Sequence, residues 1–131
     1  MLASGLSETI DDGEPLARFI TSSSHFNAIG VKPAAFLPRR DETSVFRQQA
    51  GPELAILANH HLAQAKNIFG AAMIAASAVR AAALDVMASE PPPKHANIIG
   101  WPSLQNDPDL RKAHLLEIAA VIARHAEFIR I

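Results

Sequence analysis

The stretch Pro91-Pro92-Pro93-Lys94-His95-Ala96-Asn97-Ile98-Ile99-Gly100-Trp101-Pro102 constrains this chain most. Three consecutive prolines lack amide protons and hold a fixed φ, so no helix runs through them. The residues that follow alternate. His95, Asn97 and Ile99 share one face of a predicted strand, and Ala96 and Ile98 share the other. Gly100-Trp101-Pro102 closes it, and the alanine-rich segments on either side read as helices.

The rest of the chain is punctuated by the same kinds of signal. Residues 1–14 read as an N-terminal arm ending in the acidic turn Asp11-Asp12-Gly13-Glu14, ahead of a single domain over 15–131. Pro15 suits a first helical position and predicts a short helix over 15–20, broken by Ser22–Ser24. Phe26 lies in a polar loop, 24–30, and needs a packing partner. Residues 31–37 and 43–47 predict two strands of a hairpin around the turn Arg39-Arg40-Asp41-Glu42, with Pro33 placing the first at an edge. In the second, Thr43, Val45 and Arg47 share one face and Ser44 and Phe46 the other.

Gly51-Pro52-Glu53 starts a helix predicted over 52–67. A second helix is expected over 72–83, a short strand over 84–87, and a last helix from the Asp107-Pro108 cap to about residue 127. Leu115, Ala119, Ile122 and Ala126 form its buried line, and His114, Glu117, Arg124 and Glu127 its wet side. The predicted class is α+β, a small, mostly antiparallel sheet packed against three main helices.

Composition narrows the function. Twelve Lys/Arg against thirteen Asp/Glu give a formal charge of −1, so there is no general pull toward nucleic acid or acidic membranes. The absence of cysteine removes thiolate nucleophiles and thiolate metal sites, and suits a cytoplasmic location. The N-terminus lacks the basic and apolar regions of a signal peptide, and no uncharged apolar run reaches membrane-spanning length. His60 and His61 are adjacent and point about 100° apart on a helix, a poor chelate. With no His-Glu-x-x-His, Walker A or Gly-x-Gly-x-x-Gly pattern, no metal and no cofactor are expected.

Four polar clusters remain as candidate chemistry. They are Arg18 with Ser22–Ser24 and His25; Arg39, Arg40, Glu42, Ser44 and Arg47; Lys94, His95, Asn97 and Trp101; and Arg111, Lys112 and His114. Converging Ser, His, Arg and Lys side chains suit a phosphate or a carboxylate. Ser22–Ser24 next to His25 are poorly spaced for a nucleophile and its base, and read instead as a turn or cap. Trp101 is either a stacking platform or a core plug. Glu42 is the expected partner of Arg47.

The blocks Arg18…Ser-Ser-His-Phe26, Val31-Lys-Pro-x-Ala-Phe36, Glu42-Thr-Ser-Val-Phe-Arg47 and His95-Ala-Asn-Ile-Ile-Gly-Trp-Pro102 resemble a group of small bacterial proteins, in the same order over nearly the whole chain. The resemblance implies that Arg18, His25, Lys32, Glu42, Arg47, His95, Asn97 and Trp101 belong to a shared pattern. It implies no activity, cofactor or substrate.

The leading expectation is a binding or accessory protein with a pocket for a small anionic ligand or a protein partner, formed by His25, Arg47, His95, Asn97 and Trp101. Self-association through the alanine-rich helix over 70–83 accompanies it. The alternative is a metal-independent hydrolase or transferase acting on a phosphate-bearing or nucleotide substrate. In that reading His95 or His25 is the acid/base, Arg47 and Lys32 hold negative charge, and Asn97 orients the substrate. Nucleic-acid binding through Arg39-Arg40 and Trp101 is a third reading, and the net charge opposes it.

Overall fold

The computed structural model describes residues 2–62, 67–102 and 106–131. Its order is β1 (Pro15–Ile20), β2 (Thr43–Phe46), α1 (Pro52–Leu62), β3 (Gly70–Ala75), α2 (Ala76–Ala81), β4 (Asp85–Ala88), β5 (His95–Ile99), α3 (Pro108–Arg124) and β6 (Glu127–Arg130), with single 3-10 turns at Ser23–His25 and Pro33–Phe36. The strands form one sheet in the order β4-β5-β2-β1-β3-β6, and every paired neighbour is antiparallel. This is the α+β class expected, with three helices against the sheet. No helix among the described residues is long and apolar enough to cross a membrane.

The expected strand at 95–99 is present, with Ala96 and Ile98 buried on one face and His95 and Asn97 half-buried on the other. The last helix starts as its cap predicts: the Asp107 carboxylate accepts from the amides of Asp109 and Leu110, and Pro108 occupies the first turn, where no amide proton is needed. Leu115, Ala119, Ile122 and Ala123 bury its inner face.

Residues 15–20 and 70–75 are strands, not helices. Pro15 starts a strand, a position that spends no ladder amide. Leu16 and Ile20 then pack on the face covered by α3, and Ala17 on the face covered by α1. Strand β3 pairs β1 along its whole length, from Pro15↔Ala75 to Ile20↔Gly70. Its side chains alternate in the same way: Ala72 and Ile74 face the larger core, while Ala71 and Met73 face Leu54 of α1. Alanine prefers helix by only tenths of a kcal/mol per residue, and pairing on both edges with burial on both faces overrides it.

The stretch expected to self-associate as one helix is therefore mostly an inner strand, and Ala71, Ala72 and Ala76 lie in the chain's own core. Gly70 is required by close approach, since a Cβ there would collide with the Ile129 carbonyl oxygen and the Phe128 ring.

The last helix ends at Arg124, short of the expected 127, and strand β6 follows over Glu127–Arg130. This strand pairs β3 and brings Phe128 onto Phe26, with ring centroids 4.6 Å apart and stacked. Phe69 packs on the same ring of Phe26 at 5.4 Å. This cluster is where Phe26 goes, and it holds the 3-10 turn that carries His25. Residues 31–37 are not a strand: Pro33–Phe36 form a 3-10 turn packed under α3, tied to β2 by the Thr43 hydroxyl donating to the Phe36 carbonyl at 2.8 Å. Helix α1 is described to Leu62, and the remainder of the helix expected to 67 lies outside the described residues until Asn67. The side chains of His60 and His61 lie outside them as well.

Candidate functional site

Two neighbouring hairpins build the site. Between β4 and β5 the proline-rich loop is closed by the Ser89 amide donating to the His95 carbonyl at 2.9 Å and the His95 amide donating to the Pro92 carbonyl at 3.1 Å. The same loop presents the Ser89 carbonyl to the His95 ring, with Nδ1 at 2.9 Å. A carbonyl oxygen only accepts, so Nδ1 carries the proton and, in a neutral ring, Nε2 is the acceptor. Strand β2 lies beside β5 in the register Ser44↔Asn97 and Phe46↔His95. Ser44 Oγ is 2.6 Å from His95 Nε2, so the serine hydroxyl donates to the imidazole. The Phe46 ring meets the His95 ring edge-on at 5.3 Å and fixes its plane.

The turn before β2 is the second support. Arg39 and Glu42 exchange both backbone hydrogen bonds, at 2.8 and 3.2 Å, around Arg40 and Asp41. Both central residues have positive φ, 54° and 65°, the primed turn that suits strand twist but is costly for arginine. The turn is pinned to α3 by Arg111, whose Nη2 is 2.9 Å from an Asp41 carboxylate oxygen. That ion pair is exposed and adds little stability; its consequence is to orient the turn.

Arg18 joins the two supports. Strands β1 and β2 share only the pair Ala17↔Phe46, and where they part the Arg18 side chain enters. Its Nε donates to the Ala35 carbonyl at 2.9 Å and its Nη1 to the Ser44 carbonyl at 3.0 Å. Among the described residues no carboxylate pairs with it. Burial, unrelieved by an anion, lowers its pKa from the usual value.

Arg18, Arg39, Arg40, Glu42, Ser44, His95, Asn97 and Leu37 line one cavity of about 600 Å³. Three arginines face one glutamate there. None of the four makes an ion pair among the described residues, so the cavity is electropositive before His95 is counted. The Asn97 side chain makes no hydrogen bond among the described residues and is free to donate.

Of the residues singled out from the sequence, Arg18, Arg39, Arg40, Glu42, Ser44, His95 and Asn97 therefore meet, while Arg47, Trp101, Lys32 and His25 lie elsewhere. Arg47 is no part of the cavity. Its side chain is only 2 % exposed and forms a two-pronged pair with Glu14, Nε to Oε2 and Nη2 to Oε1, while Nη1 donates to the Ser7 carbonyl at 2.6 Å. It fastens residues 7–14 to the sheet, and its partner is Glu14, not Glu42. The Glu14 hydrogen bonds raise the Arg47 pKa.

Trp101 is 5 % exposed in the main core, unable to stack on a ligand, and its Nε1 has no hydrogen-bond partner among the described residues. Lys32 is exposed beside a different cavity, against Ala120, Ala123 and Arg124 of α3. His25 does not line the arginine cavity and does not meet His95, whose two ring nitrogens are already engaged. It is close enough to Arg18 to feel its charge: burial first, and the Arg18 cation second, hold the His25 pKa below its usual value.

Ser44, Arg39 and Arg40 are the site residues that sequence reasoning grouped with Arg47 instead of with His95. The β2 alternation, which places Ser44 opposite Val45, was the available signal. Among the described residues no three His, Asp or Glu side chains converge as a metal set. Compared with profiles of known families, with curated proteins and with solved structures, the chain matches none.

Proposed function

We propose that this chain binds a small ligand through an anionic group, a carboxylate or a phosphate, in the cavity between the Arg39–Glu42 turn and β5. One observation carries the reading. Arg18 is a half-buried cation, held by two carbonyls and sharing one cavity with Arg39 and Arg40, with no carboxylate paired to any of them among the described residues. Removing a charge from water without a counter-charge is costly, and a bound anion offsets that cost. A planar guanidinium also matches both anion types in two-pronged geometry. Asn97 and Ser44 supply neutral polar contacts beside the charge, as in pockets where a few polar groups set orientation. The test is thermal stabilisation by sulfate, phosphate monoesters and dicarboxylates, compared between the wild-type chain and Arg18→Met. Shifts that are equal in the two proteins would remove the proposal.

A further inference from the structure

The proton arrangement at Ser44 goes beyond binding. We infer that Ser44 is a nucleophile activated by His95, and that the cavity carries out acyl transfer from esters whose acid or alcohol part bears an anionic group. The substrate class rests on the anion site proposed above; the nucleophile does not.

Three features of the geometry point to it. The Ser44 hydroxyl donates to Nε2 at 2.6 Å, the disposition a general base needs before attack. Nδ1–H is held by the Ser89 carbonyl at 2.9 Å, so the tautomer that leaves Nε2 free to accept is set by the backbone of the proline-rich hairpin. This is the nucleophile–base–orienter order, with a carbonyl where a carboxylate is more usual. Third, Ser44 is half-buried yet lines the open cavity, on the same wall as Arg18 and opposite Asn97 in register. A serine whose only task was to cap a core histidine would need no access to that space.

The reaction balances with groups on the page and water. Ser44 Oγ attacks the ester carbonyl carbon as its proton passes to His95 Nε2. The arginines and the Asn97 amide line the same cavity and are the donors at hand for the negative charge that the carbonyl oxygen gains. The carbon–oxygen ester bond then breaks, the leaving alcohol takes the proton from Nε2, and the acyl group remains on Ser44. Water attacks the acyl carbon with Nε2 taking its proton; the acid leaves and Ser44 Oγ recovers a proton from His95. A neutral carbonyl behind the ring stabilises the transient imidazolium less than a carboxylate would, so turnover is slow relative to carboxylate-backed serine hydrolases.

The experiment is labelling of the whole chain with an uncharged alkyl fluorophosphonate, read by intact and peptide mass spectrometry. Ser44 Oγ bonds to phosphorus, fluoride leaves, and the proton goes to His95. One adduct on Ser44 is expected, absent in Ser44→Ala and slower by about 100-fold or more in His95→Ala. Should His95→Ala not fold, the wild-type labelling rate against pH serves instead, falling toward acid while melting curves show the fold intact. Absence of an adduct on Ser44, labelling no faster than at the surface residues Ser22–Ser24, or a pH-independent rate overturns the inference. A sulfate-induced rise in melting temperature that Arg18→Met loses, without Ser44 labelling, removes the nucleophile and leaves the anion site. Ser44 labelling that sulfate does not slow removes the anion anchor and leaves the nucleophile.

Discussion

Replacing Arg18 with methionine separates what the cation does for the fold from what it does for a ligand. The side chain keeps its length but loses its charge and the donors to the Ala35 and Ser44 carbonyls. Each orphaned carbonyl costs about 1–3 kcal/mol when buried. Removing an uncompensated charge from a desolvated position returns part of that, since nothing acidic among the described residues is left unpaired. The balance is a loss of about 2 kcal/mol. With an unfolding entropy of about 0.28 kcal/mol/K for a chain of this size, that lowers Tm by about 7 °C.

The ligand response changes more in proportion. At sulfate 100-fold above its Kd the wild-type chain gains about 2.7 kcal/mol, or about 10 °C. Losing the guanidinium weakens a charge-assisted contact by about 1.4–2.8 kcal/mol, a 10- to 100-fold loss of affinity. The same sulfate concentration then adds only about 0.4–1.4 kcal/mol, a shift of about 1–5 °C. Sulfate also stabilises any compact chain by exclusion from its surface, so the measured quantity is the difference between the two proteins across a titration, by differential scanning fluorimetry checked by calorimetry. An Arg18→Met protein that melts lower but keeps the full wild-type sulfate shift would show that Arg18 is a structural bracket and would refute the reasoning.

Arg47→Met gives the opposite signature. Breaking a pair whose arginine is 2 % exposed and whose glutamate is 24 % exposed costs about 3 kcal/mol, near 10 °C in Tm, with sulfate response unchanged. Arg40→Gly relieves about 1–2 kcal/mol of left-handed backbone cost against about 0.5–1 kcal/mol of added chain entropy, so urea unfolding shows equal or slightly greater stability while sulfate affinity falls. Gly70→Ala forces a methyl against the Ile129 carbonyl, displaces β6, and lowers stability by at least about 2 kcal/mol, with limited proteolysis cutting after Arg130 or Arg124 first. Sulfate affinity rises modestly with acidity: burial first and the Arg18 charge second depress the His25 pKa, and an anion paired with Arg18 relieves the second, so fractional proton uptake accompanies binding. Calorimetric titration of this constantly charged anion should show tighter binding below the ordinary histidine pKa than above it, and loss of that pH dependence in His25→Gln. In the absence of ligand the same depression makes His25 cost stability as pH falls from the unfolded histidine value toward the folded one, and nothing above that range.

Much of the frame was legible because its signals act within a few residues. Proline and an acidic cap start α3; alternation sets the two faces of β5 and β2; a four-residue charged turn precedes β2. The candidate site was half legible for the same reason: Arg18, Glu42, His95 and Asn97 were chosen as polar residues on short elements, and they meet. Arg47 was misassigned because its partner, Glu14, lies 33 residues away, and Glu42 was the nearer acid in sequence. A lone tryptophan in a chain poor in aromatics favours a core plug over a platform without deciding it, and burial to 5 % exposure makes it the plug.

The sequence by itself determined that the chain is α+β, that the proline-rich stretch ends one element and begins a strand, and which face of that strand carries His95 and Asn97. Only the tertiary structure decided that 15–20 and 70–75 are strands, because short apolar segments take the conformation their edge partners complete and alanine's own preference is too small to resist. Only it, too, joined Ser44 to His95 across 51 positions. That hydrogen bond depends on the pairing of β2 with β5, a register no local signal specifies, and it joins two side chains that the sequence places in separate polar clusters.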